Sequence, residues 1–333
     1  MLKAGKLTTE KLKELVLDKL DFKHPDVLVH AGIGEDSAIV DFGEQVLVIS
    51  SDPITGSLHN AGFLSVHITC NDLAASGATP IGLQVVLLLP DSIEDSQLKD
   101  LMGEIHQTAA SLQVEILGGH TEILDFINRP IIVITGIGRA DKKSYIKTGG
   151  ARTGDDLVLT KGVAIEGIYI LAEEHEDYLK DKGVSSKIID QAKSYKKFLS
   201  IMPEALIAAQ AEANSLHDVT EGGLYGALVE MSEASGKGFC LEKEKVPVSK
   251  PARVICDALN MDPLGLISSG SLLITVENGT ELVDELKEEG IKAAVIGNVL
   301  NQGKYIQEKA GVRKELKMDI KDELWKWMEK EPS

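Results

Sequence analysis

Apolar and polar positions along this chain change period often, and the changes mark out short helices and strands. Leu12 to Leu20 is an amphipathic run behind Thr8-Thr9-Glu10, which predicts a capped N-terminal helix. Ser37 to Val40 and Gln45 to Ser50 read as two strands, with a turn at Asp41-Phe42-Gly43-Glu44. A helix is predicted over Ala61 to Ser76. Ile81 to Leu89 is a continuous apolar run between two prolines and predicts a buried strand. Ser96 to Leu112 reads as a helix. Val114 to Leu117 reads as a strand that runs into Gly118-Gly119, and Pro130 to Ile137, rich in β-branched residues, as a further one.

A polar, glycine-bearing stretch from Asp141 to Asp156 then breaks the pattern. A domain boundary is expected there, near Gly149-Gly150, dividing the chain into 1–149 and 150–333. Beyond it the pattern predicts strands at Asp156 to Thr160, Leu272 to Val276 and Ala293 to Val299. Helices are predicted at Ile165 to Glu174, Lys187 to Leu199, Glu204 to Asn214, Gly223 to Ala234 and Glu281 to Glu289. The charged segment Met318 to Lys330 carries Trp325 and Trp327 and reads as an amphipathic helix that lays one Trp on the body. Neither half alternates strand and helix strictly, and no short-period repeat is visible. The expected fold class is α+β in two domains, not one doubly wound sheet.

Composition narrows the function classes. A chain of 333 residues has room for two cores. Its formal net charge is −17, with no basic stripe, which argues against nucleic-acid binding. An acidic protein still binds nucleotide where divalent cations neutralise both partners. Cys70, Cys240 and Cys256 show no CxxC spacing, so neither a disulfide framework nor a structural zinc is expected. No apolar run reaches membrane-spanning length and the N-terminus does not read as a signal peptide; a cytoplasmic protein is expected.

Several segments carry oxygen donors at strand ends or helix starts. Asn71-Asp72 sits in the predicted helix ahead of Leu-Ala-Ala-Ser-Gly-Ala-Thr-Pro. Both residues compete with helical hydrogen bonds, so an interior Asn-Asp pair is a poor structural choice. Gly32-Ile33-Gly34-Glu35-Asp36-Ser37 places two acids between glycines and a strand. Asp52 ends a strand before Pro53. Gly118-Gly119-His120-Thr121-Glu122 reads either as a phosphate-binding turn with a metal ligand or as a bare glycine turn. His217-Asp218-Val219-Thr220-Glu221-Gly222 precedes a helix, with Thr220 the candidate N-cap and the helix start favouring an anion. Ser268-Ser269-Gly270-Ser271 suggests backbone contact with a ligand. Cys70 has no base that sequence can position and reads as a small buried residue. His30, His59 and His67 lack metal-ligand spacing, and no GxxxxGK[ST] segment occurs.

The order GxGEDSA, SDP, NDLAASGATP, GGHTE, HDVTEGG resembles the PurM-like ATP-dependent superfamily, from about Gly32 to Val276. That group includes aminoimidazole ribonucleotide synthetase, thiamine-monophosphate kinase, selenophosphate synthetase and HypE-type hydrogenase maturation factors. The chain looks most like the HypE, or AIR synthase-related, group. The resemblance implies a homodimer whose N-terminal domains pair their sheets, with ATP and Mg²⁺ in clefts beside the interface. It implies metal ligation by Asp36, Asp52, Asp72 and Glu122. Asn71, Ser37, Gly118, Gly119, Thr121 and Thr220 would contact the nucleotide, and Asp72, Asp218 and His120 would sit at the reacting centre. His120 stands where kinase members have an acid.

The implied activity is ATP-driven activation of an amide-type or phosphoryl-accepting oxygen on a small substrate, with a maturation protein as a further partner and no nucleic acid or membrane. The alternatives are a non-catalytic nucleotide-binding accessory protein, thiamine-monophosphate kinase, or AIR synthetase, which the absent Asp-Gly-Val-Gly-Thr-Lys run disfavours. HypE proteins carry their carbamoyl group on a cysteine in a Pro-Arg-x-Cys tail. Here the sequence reads Glu329-Lys330-Glu331-Pro332-Ser333, with no cysteine beyond Cys256, so that thiol route is not expected.

Overall fold

The computed structural model describes residue 7 and residues 9–55, 60–316 and 320–330. The predicted cap residue Thr8, His59, and the last three residues lie outside that range. The first half opens with helix α1 (Thr9–Leu15) and a 3₁₀ turn, and then builds a six-stranded sheet. Its strands are β1 (Val27–Val29), β2 (Ala38–Phe42), β3 (Gln45–Thr55), β4 (Thr79–Pro90), β5 (Glu115–Leu124) and β6 (Ile131–Asp141). They lie in the order β1-β2-β3-β6-β4-β5. All neighbours are antiparallel except β4 and β5, whose parallel pairing needs the crossover helix α3 (Asp95–Ser111). Helix α2 (Ala61–Ala75) joins β3 to β4 and packs with α3 on one face of the sheet, over Val85, Leu87, Ile132 and Ile134.

Two strands run further than the sequence pattern indicates. β3 continues through Asp52-Pro53 to Thr55, so Asp52 lies inside a strand rather than at its end. Beyond Ile49 the strand has β6 as partner and β2 has ended, so Pro53 meets one ladder instead of two. β5 continues through Gly118-Gly119 to Leu124, so His120-Thr121-Glu122 is strand and not turn. Its ladder with β4 is unbroken from Gln84↔Gly118 to Pro90↔Leu124, which overrides the local preference of the glycine pair.

The second half is a seven-stranded sheet in the order β13-β12-β9-β11-β7-β10-β8. Its strands are β7 (Asp156–Thr160), β8 (Ser215–Val219), β9 (Gly238–Glu242), β10 (Ser271–Val276), β11 (Ala293–Leu300), β12 (Lys304–Gln307) and β13 (Arg313–Glu315). Helix α8 (Gly223–Ser235) covers one face through Leu224, Leu228 and Met231. Helices α7 (Met202–Gln210) and α10 (Gly279–Glu288) cover the other. To the side, α4 (Ile165–Glu174), α5 (Glu176–Asp181), α6 (Ser186–Lys193), α9 (Lys250–Leu259) and α11 (Glu323–Lys330) share a separate apolar cluster. Trp327 of α11 is buried in it while Trp325 is exposed, as an amphipathic helix requires.

The two halves meet around α2. Val66 and Cys70 face the first sheet, whereas Ala74 and Ala75 join the core under Val158 and Leu216 of the second. Twelve of its fifteen residues are buried. A helix enclosed on all sides needs apolar and small residues nearly all round, which accounts for Leu73-Ala74-Ala75. It also means that Asn71 and Asp72 are enclosed, so each must find a partner. Among the described residues no helix is long and apolar enough to cross a membrane.

Candidate active site

Asn71 and Asp72 are neighbours in sequence but serve different elements. The Asn71 amide donates to the Leu199 carbonyl at 2.8 Å, and its oxygen accepts from the Ile201 N–H at 3.0 Å. Both ends of the amide are used to tie α2 to the chain entering α7. The resemblance implied nucleotide contact for Asn71; here the side chain fastens the two halves. Asp72 points the other way. Its carboxylate accepts from the Ser50 hydroxyl at 2.5 Å, and its backbone carbonyl accepts from the Ser37 hydroxyl at 3.2 Å. Ser37, another expected nucleotide contact, therefore braces the Asp72 backbone.

Ser50 and Asp52 are two apart on β3 and share the face turned to α2. Asp52 lies close enough to Asp72 for its charge to help raise the Asp72 pKa. The Gly32–Ser37 loop brings in a third acid and crosses to the second domain. Gly34 makes this approach possible: its φ is +74°, and a Cβ there would lie 2.6 Å from the Glu230 carbonyl of α8. Glu35 then accepts from the Gly149 N–H at 3.2 Å. The Asp36 carboxylate lies 2.7 Å from His217 Nδ1 on β8, and Glu230 lies 3.1 Å from His217 Nε2. With a carboxylate at each nitrogen, both ring nitrogens donate and the ring is the imidazolium. Burial opposes this charge, but Asp36 and Glu230 outweigh it and hold the His217 pKa well above 6.5.

Asp218 follows on the same buried strand. It is 1% exposed, and among the described residues its Oδ2 has no hydrogen-bond partner. Burial, with Asp36 and Asp52 nearby, pushes its pKa up to about 8, against His217, which lowers it. Burial and the charges of Asp218, Asp52 and Asp36 likewise raise Asp72 well above the usual carboxylate range. Glu35 is raised too, chiefly by burial. Asp36, Asp52, Asp72 and Asp218 thus gather at the domain junction around α2. Donor atoms of Asp36, His217 and Asp218 all fall within 4.8 Å of one another, a spacing one ion could bridge.

Buried carboxylates on this scale stay neutral or take a cation. An orphaned Asp218 oxygen and a set of hard oxygen donors fit a divalent ion such as Mg²⁺. His217 is committed on both nitrogens and is better placed to orient Asp36 than to ligate.

The expected residues on β5 stand apart from this cluster. Asp52 pairs with Ile134, Ile134 with Val85, and Val85 with Gly119. They form one row across four strands, so Gly119 is about 14 Å from Asp52. Gly118, Gly119, His120, Thr121 and Glu122 are exposed on the sheet's outer edge. His120 Nε2 and Glu122 lie 3.4 Å apart, both open to solvent. Within one copy of the chain these five residues do not meet the acid cluster. Thr220 lies at the end of the Asp218 strand, but it is not the helix cap. The N-cap of α8 is Gly222, and no side chain caps it from within the motif.

Sequence reasoning passed over Ser50 and Glu230 as site residues; Glu35 it placed beside Asp36 as one of two acids between glycines and a strand. Alternation along β3 puts Ser50 on the Asp52 face, a signal that was available. Glu230 lies in the middle of α8, where nothing local distinguishes it from a solvent-facing acid.

Family models for the AIR synthase related protein match this chain twice, the N-terminal domain over residues 34–140 and the C-terminal domain over residues 152–308. The chain belongs to the AIR synthase-related family. A hydrogenase expression/formation protein of Methanocaldococcus jannaschii is 29% identical over 315 residues, 91% of this chain and 90% of that one. The carbamoyl dehydratase HypE of Azotobacter vinelandii is 28% identical over 254 residues, 74% of this chain and 72% of its own length. Among solved structures, a HypE–HypF complex matches with TM-score 0.74 at 21% identity, covering 92% of this chain and 99% of the other. A HypE structure in complex with ATP matches with TM-score 0.69 at 23% identity, covering 95% and 96%. At these identities the structures establish the shared two-domain α+β fold of the PurM-like type.

Proposed function

We propose that this AIR synthase-related protein is an ATP- and Mg²⁺-dependent enzyme that activates an amide-type oxygen, as the carbamoyl dehydratase named among its relatives acts on a carbamoyl group. The observation that carries the reading is the junction of Asp36, Asp52, Asp72 and Asp218, four carboxylates buried or half-buried, in which burial and the neighbouring acids raise Asp72 and Asp218. Such a cluster repels a bare polyphosphate and attracts one that arrives with its cations. Bound Mg²⁺ would bridge the carboxylates to phosphate oxygens and neutralise charge that develops as the γ-phosphoryl group leaves. Asp72 would be held in place by Ser50, and Asp36 by the His217 imidazolium.

The acceptor is brought from outside the fold. Cys70, Cys240 and Cys256 are all buried, and burial pushes the Cys70 and Cys256 thiols up to about 12, so none is available as a carrier. A group presented by a small molecule or by a partner protein fits, and the HypE–HypF complex among the structural relatives makes a maturation partner reasonable. The nucleotide-contact role of Gly118–Glu122 needs a second copy of the chain. The face of the first sheet opposite α2 and α3 carries Ile49, Val86, Leu88, Val133 and Ile137, all half-buried and, among the described residues, packed in no helix-bearing apolar cluster. Pairing of this face would bring one copy's β5 edge toward the other's acid cluster.

Calorimetric titration with ATP, with and without Mg²⁺, tests the reading. Mg²⁺-dependent binding is expected, and Asp72→Asn should weaken it about tenfold or more while the fold survives. Binding that ignores Mg²⁺, or an Asp72→Asn protein with unchanged affinity, would sink it. Phosphate release across carbamoylated and phosphorylated acceptors then separates an enzyme from an accessory protein.

A further inference from the structure

The turn that leaves the Asp218 strand has one bond of its own, from the Gly223 N–H to the Thr220 carbonyl at 3.0 Å, and takes the acceptor for its Gly222 N–H from elsewhere. Gly222 adopts φ +86° and Gly223 φ +59°, and no side chain of the Asp218–Gly223 segment caps the helix they open. The missing partner comes from the far end of the chain. Asp322 accepts the Gly222 N–H at 2.6 Å with one oxygen and the Leu324 N–H at 2.8 Å with the other. It is 1% exposed. Two residues before it, Ile320 packs on Gly222, where an added Cβ would lie 3.3 Å from its side chain. Three residues after it, Trp325 donates its indole N–H to Glu221 at 3.0 Å. Leu324 and Trp327 anchor this segment in the apolar cluster of α4, α6 and α9.

The arrangement costs more than a local cap. Asp322 is buried against the carboxylates of Glu221 and Glu166, and these, with burial as the larger cause, push its pKa up to about 7. A cap side chain would serve the first N–H groups of α8, whereas the Gly222 N–H takes its acceptor from 100 residues away. What the imported group adds is control of where the turn sits, four residues from Asp218. The geometry points to Ile320–Trp327 as a clamp that sets the position of the Asp218–Gly222 segment, with Asp322 as its positioning residue. This role rests on the Mg²⁺-ATP reading of the acid cluster.

The test uses the full chain with Asp322→Asn and Trp325→Phe. Asparagine keeps the shape of Asp322 but its nitrogen cannot accept, so one of the two N–H groups loses its partner. Mg²⁺ is titrated calorimetrically at saturating ATP, and amide exchange is followed over residues 217–226. Asp322→Asn should raise the half-saturating Mg²⁺ concentration about tenfold, with about threefold for Trp325→Phe, and both should speed exchange in that segment. High Mg²⁺ should restore binding, and circular dichroism unchanged before Mg²⁺ is added separates this from loss of global stability. A half-saturation within about twofold of the unsubstituted protein overturns the clamp, even if the melting temperature falls. Should Asp322→Asn fail to fold, Trp325→Phe decides by the same criteria. If the unsubstituted protein shows no Mg²⁺-dependent binding, the proposed function fails by itself. Exchange over 217–226 then judges the clamp alone, and wild-type rates in the folded variants overturn it.

Discussion

Asp218→Asn should make the metal-free protein more stable while weakening its binding of Mg²⁺. The carboxyl of Asp218 is fully enclosed, with its pKa pushed from an ordinary 3.8 up to about 8 by burial first and by Asp36 and Asp52 next. Between those two values the unfolded chain has released the proton and the folded chain still holds it. The folded state therefore binds more protons, and stability falls as pH rises through this window. Each unit corresponds to 1.36 kcal/mol, so at pH 7 the loss is about 4 kcal/mol, and at pH 5 about 2 kcal/mol. Asparagine mimics the neutral acid in the fold and has no proton to release when unfolded, so it removes the penalty. His217, present in both proteins, cancels to first order.

The assay is urea denaturation in the presence of a chelator at pH 5, 6 and 7. The expected result is a stabilisation of several kcal/mol at pH 7 that shrinks by about 1.4 kcal/mol for each unit of acidification. Mg²⁺ should stabilise the unsubstituted protein by mass action and the variant far less. A variant that is less stable at pH 7, or a gain that does not change with pH, would refute the claim that Asp218 is held as a buried acid awaiting a cation.

Other sites give predictions of different kinds. A Cβ added at Gly150 would lie 1.9 Å from the Asn214 carbonyl, a contact of backbone on backbone, so Gly150→Ala should destabilise by about 3 kcal/mol or prevent folding, measured by denaturation. Lys161 lies 2.6 Å from Glu204, whose side chain is 1% exposed. Lys161→Met should cost about 3–5 kcal/mol by stranding that carboxylate, and adding Glu204→Leu should recover most of the loss; a single variant as stable as the parent contradicts this. Val133→Glu, on the sheet face opposite α2 and α3, should convert a sedimenting dimer to a monomer with unchanged circular dichroism, and a parent that is already monomeric removes the pairing from the proposal.

Much of the architecture is legible along the chain because it depends on local period. The helices at Ile165–Glu174 and Ala61–Ala75 follow their apolar spacing almost residue for residue. The strands at Asp156–Thr160 and Ala293–Leu300 follow from β-branched and apolar runs between polar breaks. Where local preference and the sheet disagree, the sheet prevails. Gly118-Gly119 looks like a terminator, and β5 passes through it because its ladder with β4 has partners to offer. Ser-Leu-His-Asp-Val reads as no strand at all, yet it is β8, buried on both faces against β10 and the helices.

The candidate site divides in the same way. The order of motifs that the chain shares with the PurM-like superfamily is what marks Asp36, Asp52, Asp72 and Asp218, since an acid before a proline or between glycines is by itself also a common turn. The sequence alone also shows a formal net charge of −17, no CxxC spacing and no GxxxxGK[ST] segment, because those depend only on composition and spacing. What side chains do once enclosed is a matter of geometry. Asn71 is adjacent to Asp72 and equally polar, but a helix turns about 100° per residue, so one faces Leu199 and Ile201 and the other Ser50. His217 is paired with Asp36 across 181 residues, and Gly222 with Asp322 across 100. Those partners are selected by the packing of two domains around one buried helix, and no periodicity along the chain encodes a contact between elements that far apart.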